Sequence, residues 1–537
     1  MSATTTARAA GADPLSRAAS YVRGPAGRPA VLGLVGSLLI TLTSPGAGSL
    51  RVQDPFLEGL HLSWMRFGHG QQLAMALLYL GVGLMLLAWV RVGRVVLAER
   101  IGLSALWATI ALWTAPMLAA APIYSRDVFS YLAQGALLRD GFDPYALGPV
   151  ANPGPLLDNV SGVWINTPAP YGPVFLLIAE GVTAVTGDSV VWGTLLMRLT
   201  MLPGLVLLIW ALPRLARQQG GRGRVAVWLG ALNPLVLVHL VGGVHNEMLM
   251  VGLMAAGVAL AVRRHHVAGI AVVALAVGIK ASAGLTLPFV VWIWVAHLRR
   301  QAAGAPGSGE PHLAEPPLLA ALARAGAAGT AIFVAVFGAA SLVAGVGLGW
   351  LGALSGSNKI INWLSAPTAV AQLLGFSTSW LTGAGSDALL PVLRIGFGVV
   401  LLALLVVVWW RSRHTPADAV RGIAVALVAV VVLSPAALPW YYSWPLAFVA
   451  PLRWRPPALA MLAGASTWLL LIFRPAGNIG LYSPFDVVAS FGLAGLLGLS
   501  LLRVDPLRLR RAGRDAPAGA PGRPTRGSRP WHRIRLQ

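Results

Sequence analysis

The sequence predicts an all-α integral membrane protein, a polytopic bundle of about 12–14 transmembrane helices with a long outer loop carrying juxtamembrane helices. Three observations point there. Of 537 residues, 56% are hydrophobic and only 11% charged, more apolar surface than a soluble chain can bury or keep dissolved. The apolar residues come in repeated runs of about 15–23, the length that crosses a hydrocarbon core as helix. Strand alternation is absent, which argues against an outer-membrane β-barrel.

Taken in chain order, residues 1–28 form a polar, Arg- and Gly-containing tail expected to be disordered. Arg8, Arg17, Arg23 and Arg28 followed by the apolar run from Pro29 read as a retained signal anchor. Spans are expected near 29–46, 71–90, 101–122, 190–212, 225–242, 247–262, 267–280 and 284–298. Six more follow near 325–348, 388–410, 422–438, 440–452, 458–473 and 486–503, with 440–452 the shortest. Residues 504–537 are a second basic tail, also expected to be disordered.

Charge orients the bundle. Forty Lys+Arg against eighteen Asp+Glu give +22, a balance that would suggest nucleic acid in a soluble chain. Here the cations sit in short loops and tails, as membrane topology requires, and no nucleic-acid partner is expected. With the N-terminus inside, loops 91–100, 213–224, 263–266, 297–324, 411–421 and 453–457 are cytoplasmic and hold seventeen Arg. The outer loops hold only Arg51, Arg66, Arg126, Arg139, Lys280, Lys359 and Arg474. Both termini are therefore expected in the cytoplasm. Residues 172–186 are apolar enough to span, yet counting them would put the four Arg of 213–224 outside. They are expected as a helix lying in the outer interface, making 123–189 one long outer segment and 349–387 a second. With no Cys there is no disulfide or thiolate site. No metal site or cofactor is expected.

The chemistry-bearing residues follow the third span. Ser125 is a good N-cap and Gly141 a good C′ residue, so 126–140 should be helical. Asp127 falls in its first turn, where the helix dipole favours the ionised form. Asp127, Tyr131 and Gln134 share one face by i, i+4, i+7 spacing. From spacing alone Asp127 could equally be a complement to the helix N-terminus. Tyr124 and Arg126 flank it, and Thr167-Pro168-Ala169-Pro170-Tyr171-Gly172-Pro173 leads stiffly into the interfacial helix. His245-Asn246-Glu247 lies at a tight outer turn and reads either as a sugar or phosphate site or as a helix cap. Lys280 sits in an apolar stretch, where a charge is costly and commonly functional. It and Lys359 are the only lysines among forty cations. Trp440, Tyr441 and Tyr442 suit an aromatic belt or a sugar platform. Arg198, two turns into its helix, and Arg474, at an outer helix end, are further candidates for phosphate contact.

The strings YSRDVFSYLAQGALLRDGFDPYALGP (124–149), TPAPYGPVFLLIAEG (167–181), GGVHNEMLMVGLM (242–254), GIKASAGLTLPFV (278–290) and LPWYYSW (438–444) carry a resemblance. The chain resembles the GT-C glycosyltransferases, and more closely the actinobacterial polyprenol-phosphate-mannose-dependent α-1,6-mannosyltransferases. The resemblance implies a GT-C bundle and a polyprenyl-phosphate mannose donor. It further implies a lipid-linked mannan acceptor, and extension of the backbone of lipomannan and lipoarabinomannan at the outer face of the cell membrane. It implies inversion at the anomeric carbon, with Asp127 as base. Arg126, His245, Lys280, Lys359 or Arg198 would contact the donor phosphate. Tyr124, Tyr131, Gln134, Tyr171, Asn246, Glu247, Trp440, Tyr441 and Tyr442 would contact sugar or acceptor. Two other readings stand beside it. A sibling enzyme would transfer arabinose or another sugar from the same class of lipid, and a transporter or flippase would place ionisable groups near the midplane.

Overall fold

The computed structural model describes residues 21–302, 316–382 and 386–503. Residues 1–20 of the expected N-terminal tail, 303–315 of the expected inner loop and the expected C-terminal tail 504–537 lie outside the described residues. Order begins before residue 29. Tyr21 is helical and its hydroxyl shares a 2.6 Å hydrogen bond with Thr109 Oγ1.

The described residues form helices without a β-sheet; one isolated bridge joins Phe473 and Ile479. We number the main helices α1 Gly27–Ala47, α2 Gly68–Leu97, α3 Leu103–Met117, α4 Asp127–Arg139, α5 Pro173–Thr186 and α6 Val190–Gln218. Next come α7 Gly223–Gly230, α8 Glu247–Val262, α9 His266–Ile279, α10 Leu287–Ala302, α11 Leu318–Val343 and α12 Ala366–Thr382. The last five are α13 Ser386–Arg411, α14 Pro416–Leu433, α15 Ser443–Val449, α16 Pro456–Leu471 and α17 Pro484–Leu502. Eight of these segments are long and apolar enough to cross a bilayer: α1, α2, α6, α10 with its preceding turn, α11, α13, α14 and α17. A ninth forms if α7 is joined to Pro234–Gly242 across a 41° bend. Pro234 causes that bend by removing a backbone donor, and the Asn233 side chain restarts the helix by accepting from Leu235 N at 3.0 Å. The expected spans 101–122, 247–262, 267–280 and 458–473 are the shorter apolar helices α3, α8, α9 and α16, of 14–16 residues.

Two segments depart from the expected spans. Residues 440–452 contain a 3₁₀ turn, Pro439–Tyr442, and only the seven-residue α15. The segment nonetheless runs the depth of the bundle. At one end Trp440 stacks on His245. At the other the Pro451 carbonyl lies against Gly221, where a Cβ would sit 2.1 Å from it. The expected second outer loop contains α12, whose Gln372, Ser377 and Thr382 interrupt the apolar pattern that marks the other helices.

α5, over the segment expected as an interfacial helix, is one of the shorter apolar helices, as are α3, α8, α9 and α16. Its fourteen residues reach only about 21 Å, against about 30 Å of hydrocarbon. Gly172 N donates to Ile279 O at one end, 3.2 Å, and Asp188 beyond the other end pairs with Arg139 of α4 at 2.9 Å. α4 and α5 thus lie side by side. Gly135 permits this, since a Cβ there would come within 2.3 Å of the Ala179 carbonyl. The same device joins α6 to α8, where Gly204 and Gly252 meet backbone to backbone, the small-residue contact typical of membrane helices. Arg222 reaches Glu99 at 3.1 Å, so loops 91–100 and 213–224 meet at one end of the bundle. α4, α5 and the turns preceding α8 and following α9 gather at the other.

Candidate functional site

The site begins where α3 gives way to α4. Tyr124 adopts φ +66°, its amide held by the Pro475 carbonyl at 2.7 Å. This reversal lets the Ser125 hydroxyl accept from Asp127 N at 3.1 Å, so the helix opens on Asp127 rather than on Arg126. It closes at Arg139, with Gly141 at φ +83° just beyond. Asp127, Ser130 and Gln134 form the face of α4 turned toward a cavity of about 430 Å³. Tyr131, one position round, packs edge-on against Tyr171 at 5.3 Å and Phe175 at 4.9 Å, locking α4 to α5.

The opposite wall comes from two helix ends. A π-helical turn, Leu237–Gly242, and a tight reversal at Val244 (φ +57°) deliver His245, Asn246 and Glu247 to the start of α8. α9 ends at Ile279, placing Lys280 on the cavity wall. The Lys280 ammonium is hydrogen-bonded to Glu247, which is fully buried behind it. That ammonium also lies 4.6 Å from the Tyr441 ring centre and within 6 Å of Tyr171 and Trp444, so aromatic faces surround the one cation that lines the cavity among the described residues. Leu285, Leu354, Ile360 and Val430 make one side of the cavity apolar.

Behind the wall runs a chain of polar groups. His245 Nδ1 lies 3.5 Å from Asp127 Oδ2 and 3.8 Å from Glu247 Oε2. Its ring stacks on Trp440 at 4.0 Å and 23°. Trp440 also faces His239, which packs on Tyr124 at 4.8 Å. His245 sits in the turn between two helices, and burial lowers its pKa well below the usual histidine value. Burial raises the Asp127 carboxyl to about 6; the Glu247 charge adds to the rise, while Lys280 and the Ser125 hydrogen bond oppose it. A carboxylate so placed is ionised at neutral pH and basic enough to take a proton.

The expected site residues divide into three groups. Asp127, Gln134, Tyr171, Lys280 and Tyr441 line the cavity. Tyr124, Tyr131, His245, Asn246, Glu247 and Trp440 form the buried layer behind it. Others are committed elsewhere. Arg126 donates to the carbonyls of Asn159 (2.8 Å) and Leu50 (3.0 Å), on the far side of α4 from the cavity. Arg198 is 2% exposed and caps the carbonyls of Leu118, Ala120, Val241 and Gly242. Neither guanidinium faces a phosphate in the cavity, because each satisfies backbone acceptors left over at helix ends. Lys359 donates to Thr167 at the rim, 2.7 Å, Tyr442 bonds Leu364 O at 3.4 Å, and Arg474 pairs with Asp486. Ser130, Trp164, Ser282 and Trp444 also line the cavity. Ser130 was legible as i+3 from Asp127; the others depend on which loops meet.

Two family models together match most of the chain. A model of the alpha-(1->6)-mannopyranosyltransferase N-terminal domain matches residues 30–296, and one of the MptB C-terminal domain matches 367–503. Alpha-(1->6)-mannopyranosyltransferase A of Mycobacterium tuberculosis is 52% identical, covering 89% of this chain and 90% of its own. Its Corynebacterium glutamicum namesake is 36% identical, covering 85% and 95%. Alpha-(1->6)-mannopyranosyltransferase B of the same organism is 31% identical, covering 88% and 80%.

Proposed function

The chain belongs to the alpha-(1->6)-mannopyranosyltransferase family and is a glycosyltransferase, and we propose that it moves mannose from polyprenyl-phosphate mannose onto the 6-hydroxyl of a lipid-linked α-1,6-mannan at the outer membrane face. The observation that carries this reading is one cavity in a membrane bundle with the Asp127 carboxylate and the Lys280 ammonium both on its wall. The apolar side made by Leu285 and Val430 suits a prenyl chain, and the rings of Tyr171, Tyr441 and Trp444 suit sugar faces.

The acceptor hydroxyl gives its proton to Asp127 as its oxygen bonds to the anomeric carbon of the donor mannose. The bond from that carbon to the phosphate oxygen breaks on the opposite side, inverting the centre, and polyprenyl phosphate leaves with both electrons. Lys280 stabilises the charge that grows on that phosphate. His245, its ring held on Trp440, places Nδ1 3.5 Å from the Asp127 carboxylate and limits where that carboxylate can turn. Arg198 and Arg126 shape the site without touching donor or acceptor. The excess of Arg in loops 91–100 and 213–224, gathered at the end away from the cavity, supports an outward-facing site and a cytoplasmic N-terminus.

The test is transfer by the purified full chain in liposomes, supplied with radiolabelled polyprenyl-phosphate mannose and then the arabinose counterpart, followed by linkage analysis. Mannose in α-1,6 linkage is the expected product. Transfer of arabinose alone, or passage of the lipid across the bilayer without transfer, overturns the reading.

A further inference from the structure

Several polar groups on the lining of the catalytic cavity are already spent on the protein. Lys280 is hydrogen-bonded to Glu247, Ser282 donates to the Met250 sulfur at 3.3 Å, and Ser434 donates to the Ala436 carbonyl at 2.9 Å. Thr167 donates to Val163 O at 3.2 Å and accepts from Lys359. Ser130 and Gln134 differ. Both line the cavity on the Asp127 face of α4 and are only 4% and 3% exposed. Neither the Ser130 hydroxyl nor the Gln134 side-chain oxygen has a hydrogen-bond partner among the described residues.

A helical Ser or Thr has a ready acceptor in the carbonyl one turn back. Thr109, Thr194 and Thr467 use it, at 2.7–2.9 Å. Ser130 does not, although it sits in the first turns of a regular helix. A buried hydroxyl or amide left unpaired costs stability, so these two atoms mark a place where a ligand supplies the partner. Their chemistry selects that ligand. Both side chains are neutral, and each can donate as well as accept, which fits sugar hydroxyls and gives no preference for a phosphate. Trp164 and Tyr171 on the same lining offer aromatic faces to a sugar ring.

The position of the base decides which sugar this is. Inversion puts the attacking oxygen and the leaving phosphate on opposite sides of the anomeric carbon. Lys280 marks the leaving side and Asp127 the attacking side. Ser130 and Gln134 follow Asp127 at i+3 and i+7, so the polar stripe extends roughly 10 Å along α4 from the base.

We propose that Ser130 and Gln134 bind the secondary hydroxyls of the acceptor's terminal mannose and so hold its 6-hydroxyl against Asp127. The two side chains thereby select the sugar end that is extended. The assignment rests on the transferase reading above and deepens it.

The test uses the purified full chain in liposomes, with a soluble α-1,6-dimannoside as acceptor. Ser130→Ala and Gln134→Leu should each raise KM for the dimannoside about tenfold, equivalent to about 1.4 kcal/mol, and leave KM for polyprenyl-phosphate mannose unchanged. Each variant removes an unpaired buried atom, so its melting temperature should stay at or above the wild-type value. A residue that served only the fold would lower it. Dimannosides lacking the 2-, 3- or 4-hydroxyl of the terminal sugar add a second arm. The hydroxyl that Gln134 holds, once removed, should cost wild type about tenfold and cost Gln134→Leu nothing further. A rise in KM for the donor in place of the acceptor, a fall in melting temperature, or equal deoxy losses in wild type and both variants overturns the proposal. Equilibrium binding of the dimannoside without donor separates this from the functional reading. Binding weakened by both variants, with no mannosyl transfer by the wild-type chain, supports the stripe and overturns the polyprenyl-phosphate mannose reading instead.

Discussion

Asp127 and Glu247 both bring a carboxylate near one imidazole nitrogen, 3.5 and 3.8 Å from His245 Nδ1, yet they belong to different regions. The Asp127 side chain is 20% exposed and faces the cavity. Glu247 is fully buried and spends one oxygen on Lys280. On the proposed reading the front wall offers reactive groups to a substrate, while the buried layer behind it, with His239, His245, Trp440 and Glu247, holds them in place. The difference teaches that proximity to the reacting atoms and importance for the fold separate over a few ångströms. A polar residue at a membrane site need not touch a ligand to be indispensable.

Breaking the Lys280–Glu247 pair should cost stability from either side. Glu247→Gln leaves Lys280 without its buried partner, so thermal unfolding of the detergent-solubilised protein should show a loss of about 3–5 kcal/mol. Because the Glu247 charge helps raise the Asp127 pKa, the acid limb of the pH–rate profile should also move to lower pH in whatever protein remains folded. Lys280→Met removes a group of the front wall. It should lower kcat about 100-fold, the typical cost of one charge-stabilising donor. Lys280 lowers the Asp127 pKa, so this variant should move the acid limb to higher pH, opposite to Glu247→Gln. Shifts of the same sign would show that the two residues do not act on Asp127 through charge.

Much of this division was legible from local signals. Ser125 and Gly141 bracket a helix that does run from Asp127 to Arg139. The Arg count set 172–186 as an interfacial helix, and a helix does form there, packed along α4. Lys280 stood out as a cation in an apolar run. What the linear pattern could not carry was the direction of long side chains. Arg126 and Arg198 look like phosphate ligands in sequence, but they terminate on carbonyls 33 to 80 residues away. Glu247 looked like an acceptor contact, and its partner lies 33 residues downstream at the end of the next helix. α12 escaped detection because its Ser, Thr and Gln residues dilute the apolar run. Conversely, α13 and α8 are similarly apolar, yet no residue of α13 is buried while most of α8 is. Hydropathy finds a helix but does not say whether lipid or protein covers it.

The most direct measurement takes transfer rate and melting temperature together on one preparation of Asp127→Asn, reconstituted with polyprenyl-phosphate mannose and a soluble α-1,6-mannoside. If Asp127 is the base on the front wall, kcat falls by about 10²–10⁴ while the melting temperature stays at the wild-type value. Transfer within a few-fold of wild type, or a loss of activity matched by a loss of folded protein, contradicts the assignment and with it the division between the two layers.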